Sequence, residues 1–142
     1  MKSVKKIGLY SEVLRELNYA FGNIFLFDGY VVSEIAEGIV FSWEMHGECI
    51  TMDLASFYGT DGSDLIFISN RVNSYSVMAA DWSKFFKNSY NLQSYYVVGQ
   101  AKGSLINIMF EKLFFKSEIR KFTNIETAVT VAKGYNSKGI EA

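Results

Sequence analysis

Residues 24–35 read Ile24-Phe25-Leu26-Phe27-Asp28-Gly29-Tyr30-Val31-Val32-Ser33-Glu34-Ile35. Two runs rich in β-branched and aromatic residues flank an Asp-Gly pair. That pattern predicts a β-hairpin, because Asp and Gly both tolerate the positive φ of a tight reversal. On the N-terminal side, residues 1–20 are ambiguous. Val13, Leu14 and Leu17 have helical spacing, but the segment could equally pair as an edge strand.

Beyond the hairpin, Glu37-Gly38 breaks the chain and Ile39-Val40-Phe41 reads as a short extended piece. Ser42 is a predicted N-cap, with Glu44 in the first turn of a helix that runs to about Tyr58 and ends at Gly59. Met45, Cys49 and Met52 are expected on its inner face, widened by Ile50, Leu54 and Phe57. Leu65-Ile66-Phe67-Ile68 and Tyr95-Tyr96-Val97-Val98 are uninterrupted apolar runs, the mark of strands buried on both faces. Trp82, Phe85 and Phe86 predict a helix over 79–87, and a second, very apolar helix is predicted over 103–115. Ile119 to Phe122 reads as a strand. Thr123-Asn124-Ile125-Glu126 matches a capping box, and Ile125, Ala128, Val129 and Ala132 share one face of a last helix. From Gly134 on, a loose polar tail is expected.

A hairpin, a helix and then three strand-helix repeats imply an α/β fold: a mixed, mostly parallel sheet with an N-terminal β-hairpin and helices packed on it. Nothing in the composition divides the 142 residues, so a single domain over 1–142 is expected.

Composition excludes several functions. The chain has no Pro, so a proline-rich ligand segment and a cis-proline site are ruled out. A pI near 5.8 and the lack of a long basic run argue against nucleic acid. Residues 1–71 hold 5 Lys/Arg against 10 Asp/Glu, and residues 72–142 hold 9 against 5. That asymmetry fits either differently charged faces or complementarity between copies. The single Cys49 cannot form an internal disulfide, and neither a signal peptide nor a transmembrane run stands out, so a cytoplasmic location is expected.

Catalytic and metal patterns are sparse. His46 lies near Glu44, Glu48 and Cys49, but a solvated helix start explains the cluster better than a zinc site. Asp61 and Asp64 around Gly62-Ser63 lack a full calcium-loop pattern and read as a turn. Glycine-rich phosphate loops and a nucleophile elbow are absent. No enzyme, cofactor or metal is expected. The segment Asn70-Arg71-Val72-Asn73-Ser74-Tyr75-Ser76 is the candidate site. It follows a buried strand, where open α/β sheets place their ligands, and it is expected to lead into a helix start. Ser74 or Ser76 there could cap that helix or carry a phosphoryl group. Ile106, Met109, Phe110, Leu113 and Phe114 form a second candidate region, with three readings: core burial, a homodimer face or a pocket wall. The aromatic content of 16% likewise fits a Phe-rich core or a lined groove.

Three stretches carry a family resemblance: Phe27 to Ile35; Ile66-Phe67-Ile68-Ser69-Asn70-Arg71-Val72-Asn73-Ser74-Tyr75-Ser76-Val77; and the helix ending Phe110-Glu111-Lys112-Leu113-Phe114. With the element order, they resemble a SpoIIAA-like domain of the STAS superfamily, the anti-sigma factor antagonist fold, over roughly residues 20–133. The resemblance implies a bacterial, non-enzymatic regulatory domain with a protein partner. In classical members a Ser after the buried strand, within Asp-Ser-Ser-Gly, is phosphorylated by a partner kinase. Here Asn73-Ser74-Tyr75-Ser76 stands in that place, without the Asp and the Gly, and Ser74 is the nearest match. SpoIIAA-like proteins are also grouped with lipid-transfer-type domains, which implies a small apolar or lipid-like ligand as the alternative.

Overall fold

The computed structural model describes residues 1–100 and 102–141, with side chains left undescribed for 102–104 and 136–141. The chain begins with two 3-10 turns, Val4–Lys6 and Gly8–Glu12. Then come β1 (Arg15–Tyr19), β2 (Gly22–Leu26), β3 (Tyr30–Ile35) and β4 (Val40–Phe41). A π-turn (Trp43–Gly47) opens α1 (Glu48–Tyr58), and β5 (Ile66–Asn70), β6 (Ser76–Val77) and α2 (Trp82–Lys87) follow. The last elements are β7 (Ser94–Val98), α3 (Lys102–Glu111), β8 (Glu118–Phe122) and α4 (Ile125–Glu141).

Six strands form one mixed sheet in the order β1-β2-β3-β5-β7-β8. β1 and β3 pair antiparallel with β2, while β3, β5, β7 and β8 run parallel. The predicted hairpin is β2–β3. Phe27 N donates to the Tyr30 carbonyl, and Gly29 takes the positive φ of 83°. The ambiguous first 20 residues resolve into turns and an antiparallel edge strand.

Alternation along each strand feeds two cores. Phe25, Tyr30, Val32, Ile66, Ile68, Tyr96 and Val98 face α4, through Ile125, Ala128, Val129 and Ala132. Val4 packs into the same core and is fully buried. On the opposite face, Ile24, Leu26, Val31 and Ile35 meet Ile50 and Leu54 of α1. Tyr95 and Val97 meet Phe85 of α2, Ile108 of α3 and Phe115. The three crossover helices therefore share one face of the sheet, and α4 covers the other. A buried carboxylate holds the N-terminal segment in place: Glu34 accepts from Ser3 Oγ, Val4 N and Asn70 Nδ2.

Several expectations are corrected. Ser42 caps its helix through Met45 N, but the first turn is π-type. The buried residues Trp43, His46, Ile50 and Leu54 are spaced three, four and four apart and form the inner face, so Met45, Cys49, Met52 and Phe57 are left exposed. α3 ends at Glu111, four residues early. Asn124 caps α4 through Thr127 N, so Thr123 does not form the capping box. α4 continues through Gly134, where a loose tail was expected.

Among the described residues, no helix is long and apolar enough to cross a membrane.

Candidate functional site

The crossover helices do not cover their face of the sheet completely. α1 lies over β2 and β3. α2 has only six residues, about 9 Å of helix, and packs toward β7. Between them an apolar groove remains, with an internal volume near 100 Å³. Phe67 of β5 forms its floor, and Ile50, Leu54 and Ala55 of α1 form one wall. Trp82 and Phe85 of α2 form the other, with Trp43 from the π-turn. Both tryptophans of the chain line it.

The groove ends are built differently. At one end the 60–65 turn is held by Asn91 N donating to the Asp61 carbonyl and Leu65 N donating to the Gly62 carbonyl. Gly62 sits at φ 97°, and a Cβ there would lie 2.2 Å from the Asn91 carbonyl oxygen. At the other end β4 and β6 pair as a two-stranded parallel ribbon, placing Phe41 beside Val77. Asn107 of α3 clamps this ribbon, accepting from Val77 N at 3.0 Å and donating to its carbonyl at 3.4 Å.

Behind that second end lies a buried polar network. The Arg71 and Glu111 side chains are 2% and 0% exposed and pair at 3.1 Å. Arg71 also donates to the Tyr95 hydroxyl (3.0 Å) and, through Nε, to Ser69 Oγ (3.2 Å). Its guanidinium lies over the Tyr75 ring, 5.1 Å from the centroid, and the Tyr75 hydroxyl hydrogen-bonds Ser69 Oγ. Glu111 accepts further from Trp82 Nε1 at 2.9 Å and Asn107 Nδ2 at 3.2 Å. Burial disfavours the Arg71 charge, but Tyr95, Tyr75 and Glu111 outweigh it and hold its pKa above the ordinary value. Burial first, and the Glu111 charge second, push the Tyr95 hydroxyl well above its ordinary range. Arg71 is thus a fixed cation and Tyr95 a neutral hydroxyl. Tyr75, Tyr95 and Trp82 belong to both network and groove, so the network sets the shape of the groove wall.

The 70–76 candidates separate into two groups. Asn70 and Arg71 are interior: Asn70 Nδ2 donates to the Lys2 carbonyl and to Glu34, and Arg71 is committed to Glu111. Tyr75 is half-buried in the network. Asn73, Ser74 and Ser76 are exposed, and Asn73 Nδ2 donates to the Ile35 carbonyl. The expected helix start is not there. Ser76 opens β6, and a 3-10 turn (Ala79–Asp81) precedes α2, whose N-cap position is Asp81. Neither serine caps a helix, so the backbone donors expected to receive a phosphoryl group are elsewhere.

Of the α3 candidates, core burial is corrected. Ile106, Met109, Phe110, Leu113 and Phe114 are exposed, and Ile108, Glu111 and Phe115 fill the inner side. None of the five lines the groove. His46 is also corrected from a solvated position: it is 8% exposed, sits against Phe21 and Phe41, and accepts from Ser42 N at Nδ1. Burial lowers its pKa. Asp61 accepts from Ser63 N and Oγ within its turn.

No sequence motif joins Glu111, Tyr95, Trp82 and Asn107 as a unit. One signal was available. Glu111 is the only carboxylate between 102 and 117 in an otherwise apolar stretch, and a lone acid there calls for a buried partner. Compared with known proteins, the chain matches no family model, no curated protein and no solved structure.

Proposed function

We propose that this chain is a non-enzymatic domain that holds a small apolar or lipid-like ligand in the groove between α1, α2 and the sheet. The groove itself carries the reading. Its lining is almost wholly hydrocarbon and aromatic, with the Tyr75 and Tyr95 rings closing one side. Apolar pockets with a few fixed polar groups are the usual form of small-molecule sites. A closed apolar cavity of about 150 Å³ accepts benzene, which sets the scale of guest for this smaller, open groove. The expected guest is a compact hydrocarbon or one segment of a longer chain. In this reading Arg71 braces the wall, through Nε to Ser69 and Nη2 to Tyr95 and Glu111.

Energy transfer from Trp43 and Trp82 to cis-parinaric acid, a polyene chain that can enter the groove by one segment, tests the reading. Saturable transfer is expected from the native chain. Ala55→Phe and Thr51→Phe, which fill the groove from α1, should each weaken it at least about tenfold, a loss of roughly 1.4 kcal/mol. Met109→Ser, outside the groove, should leave it unchanged. No saturable transfer, or transfer lost in Met109→Ser and kept in both filling variants, would overturn the proposal.

A second reading follows the resemblance to anti-sigma factor antagonists of the STAS superfamily. It is a regulatory, protein-binding role for the 70–76 loop. Exposed Asn73, Ser74 and Ser76 at the carboxyl end of β5 favour it, as does the run of parallel strands β3, β5, β7 and β8 in sequence order, joined by helices on one face. Ser74→Asp and Ser76→Asp in a partner pull-down test this reading; binding of every partner unchanged across both would remove it.

A further inference from the structure

The outer face of α3 and the turn after it carries six large apolar side chains in the open. Leu105, Ile106, Met109, Phe110, Leu113 and Phe114 are between 37% and 73% exposed. Soluble domains rarely leave so contiguous an apolar patch uncovered. Its charges are of one sign. Glu111, the only acid between 102 and 117, is turned inward to Arg71, while Lys112 and Lys116 are exposed. Neither lysine meets a carboxylate among the described residues; Lys116 Nζ lies over the Phe86 ring instead.

We infer that this face docks on the surface of a bilayer containing anionic lipids. Apolar side chains with lysines beside them, on a helix lying flat, form the pattern of interfacial membrane binding. The face is one convex helix, and none of residues 105–114 enters the groove, so it offers no recess for a partner's helix. A second copy fits less well. In a two-fold contact the same patch meets itself, and it carries no outward acid for Lys112 and Lys116 to pair with. The inference stands apart from the groove reading: either can fail without the other.

Co-sedimentation with vesicles of phosphatidylcholine, with and without phosphatidylglycerol, tests it. The native chain should prefer the anionic vesicles by roughly 30-fold, the ratio expected from two lysines near such a surface, and salt should reduce the preference. Lys112→Ala with Lys116→Ala should remove the preference. Met109→Asp with Leu113→Asp should abolish binding to both kinds of vesicle while the circular dichroism spectrum and the unfolding midpoint stay native. Absence of binding by the native chain would overturn the inference, and so would binding unchanged in the Met109→Asp, Leu113→Asp variant. A dimer in analytical ultracentrifugation that this variant dissolves would overturn it in favour of a second copy.

Discussion

Replacing Glu111 by Ala strands a cation inside the protein. Arg71 keeps Ser69 and Tyr95 as acceptors but loses the counter-charge it pairs with, at a side chain just 2% exposed. The Trp82 indole N–H and the Asn107 amide lose an acceptor as well. Removing one partner of a buried ion pair costs about 3–5 kcal/mol. Trp82 and Asn107 lie in half-buried positions where water can replace the carboxylate, so they add little, and we take about 4 kcal/mol for the whole. That is a large share of the roughly 5–15 kcal/mol that holds a domain together. At about 2 kcal/mol per molar urea, the midpoint should fall by about 2 M. Urea titration followed by tryptophan fluorescence reads it directly, since Trp82 belongs to the network. Arg71→Met with Glu111→Leu removes both charges and should recover most of the loss. A Glu111→Ala loss below about 1 kcal/mol would refute the argument. A double variant as unstable as Glu111→Ala would show that the loss comes from the hydrogen bonds to Ser69, Tyr95, Trp82 and Asn107 and not from the stranded charge.

Two further predictions concern the turn at one end of the groove and the buried histidine ahead of α1. Gly62→Ala places a Cβ against the Asn91 carbonyl in a backbone region that disfavours side chains; a loss of at least ~1–3 kcal/mol is expected in thermal unfolding, and a neutral result would mean the 60–65 turn is not fixed as described. His46 holds a lowered pKa through burial, so near the ordinary histidine value the unfolded chain binds more protons than the folded one. Stability should therefore be full above about pH 6.5 and decline as the pH falls below it, measured as the urea midpoint between about pH 7.5 and 5.5. His46→Gln should flatten that slope, and an unchanged slope would contradict the burial of the ring.

Much of the sheet was legible because its signals are local. The Asp28-Gly29 reversal, the apolar runs at 65–68 and 95–98, and the Ile125 to Ala132 stripe each sit within one element. What failed depended on partners far along the chain or on a small change of phase. Between 43 and 57 the apolar residues fit two helix faces about one residue apart in phase, and spacing does not choose between Met45, Cys49 and Met52 and the inner set Trp43, His46, Ile50 and Leu54. β4 and β6 are two residues each and exist only because residues 40–41 and 76–77 find one another. That pairing displaced the helix start expected after Ser74. The Arg71–Glu111 pair joins residues 40 apart. The α3 face could not be resolved by composition, since an apolar helix reads alike in a core and on a surface that awaits a cover. The groove left the faintest trace, because it comes from the shortness of α2 and not from any motif.

Each strand of the main sheet is hydrogen-bonded only to strands next to it along the sheet order, and that order is the order of synthesis. An emerging chain can therefore add strands one at a time to an edge already made, without waiting for a distant segment. The longest tie comes last: Lys133 reaches back to Glu12 at 2.8 Å. Until α4 arrives, the sheet face bearing Ile66, Ile68 and Tyr96 is covered only by the N-terminal segment that carries Val4, Ile7 and Leu9. The slow step of folding should accordingly be the closing of that face, and truncation within α4 should leave an assembled but sticky sheet.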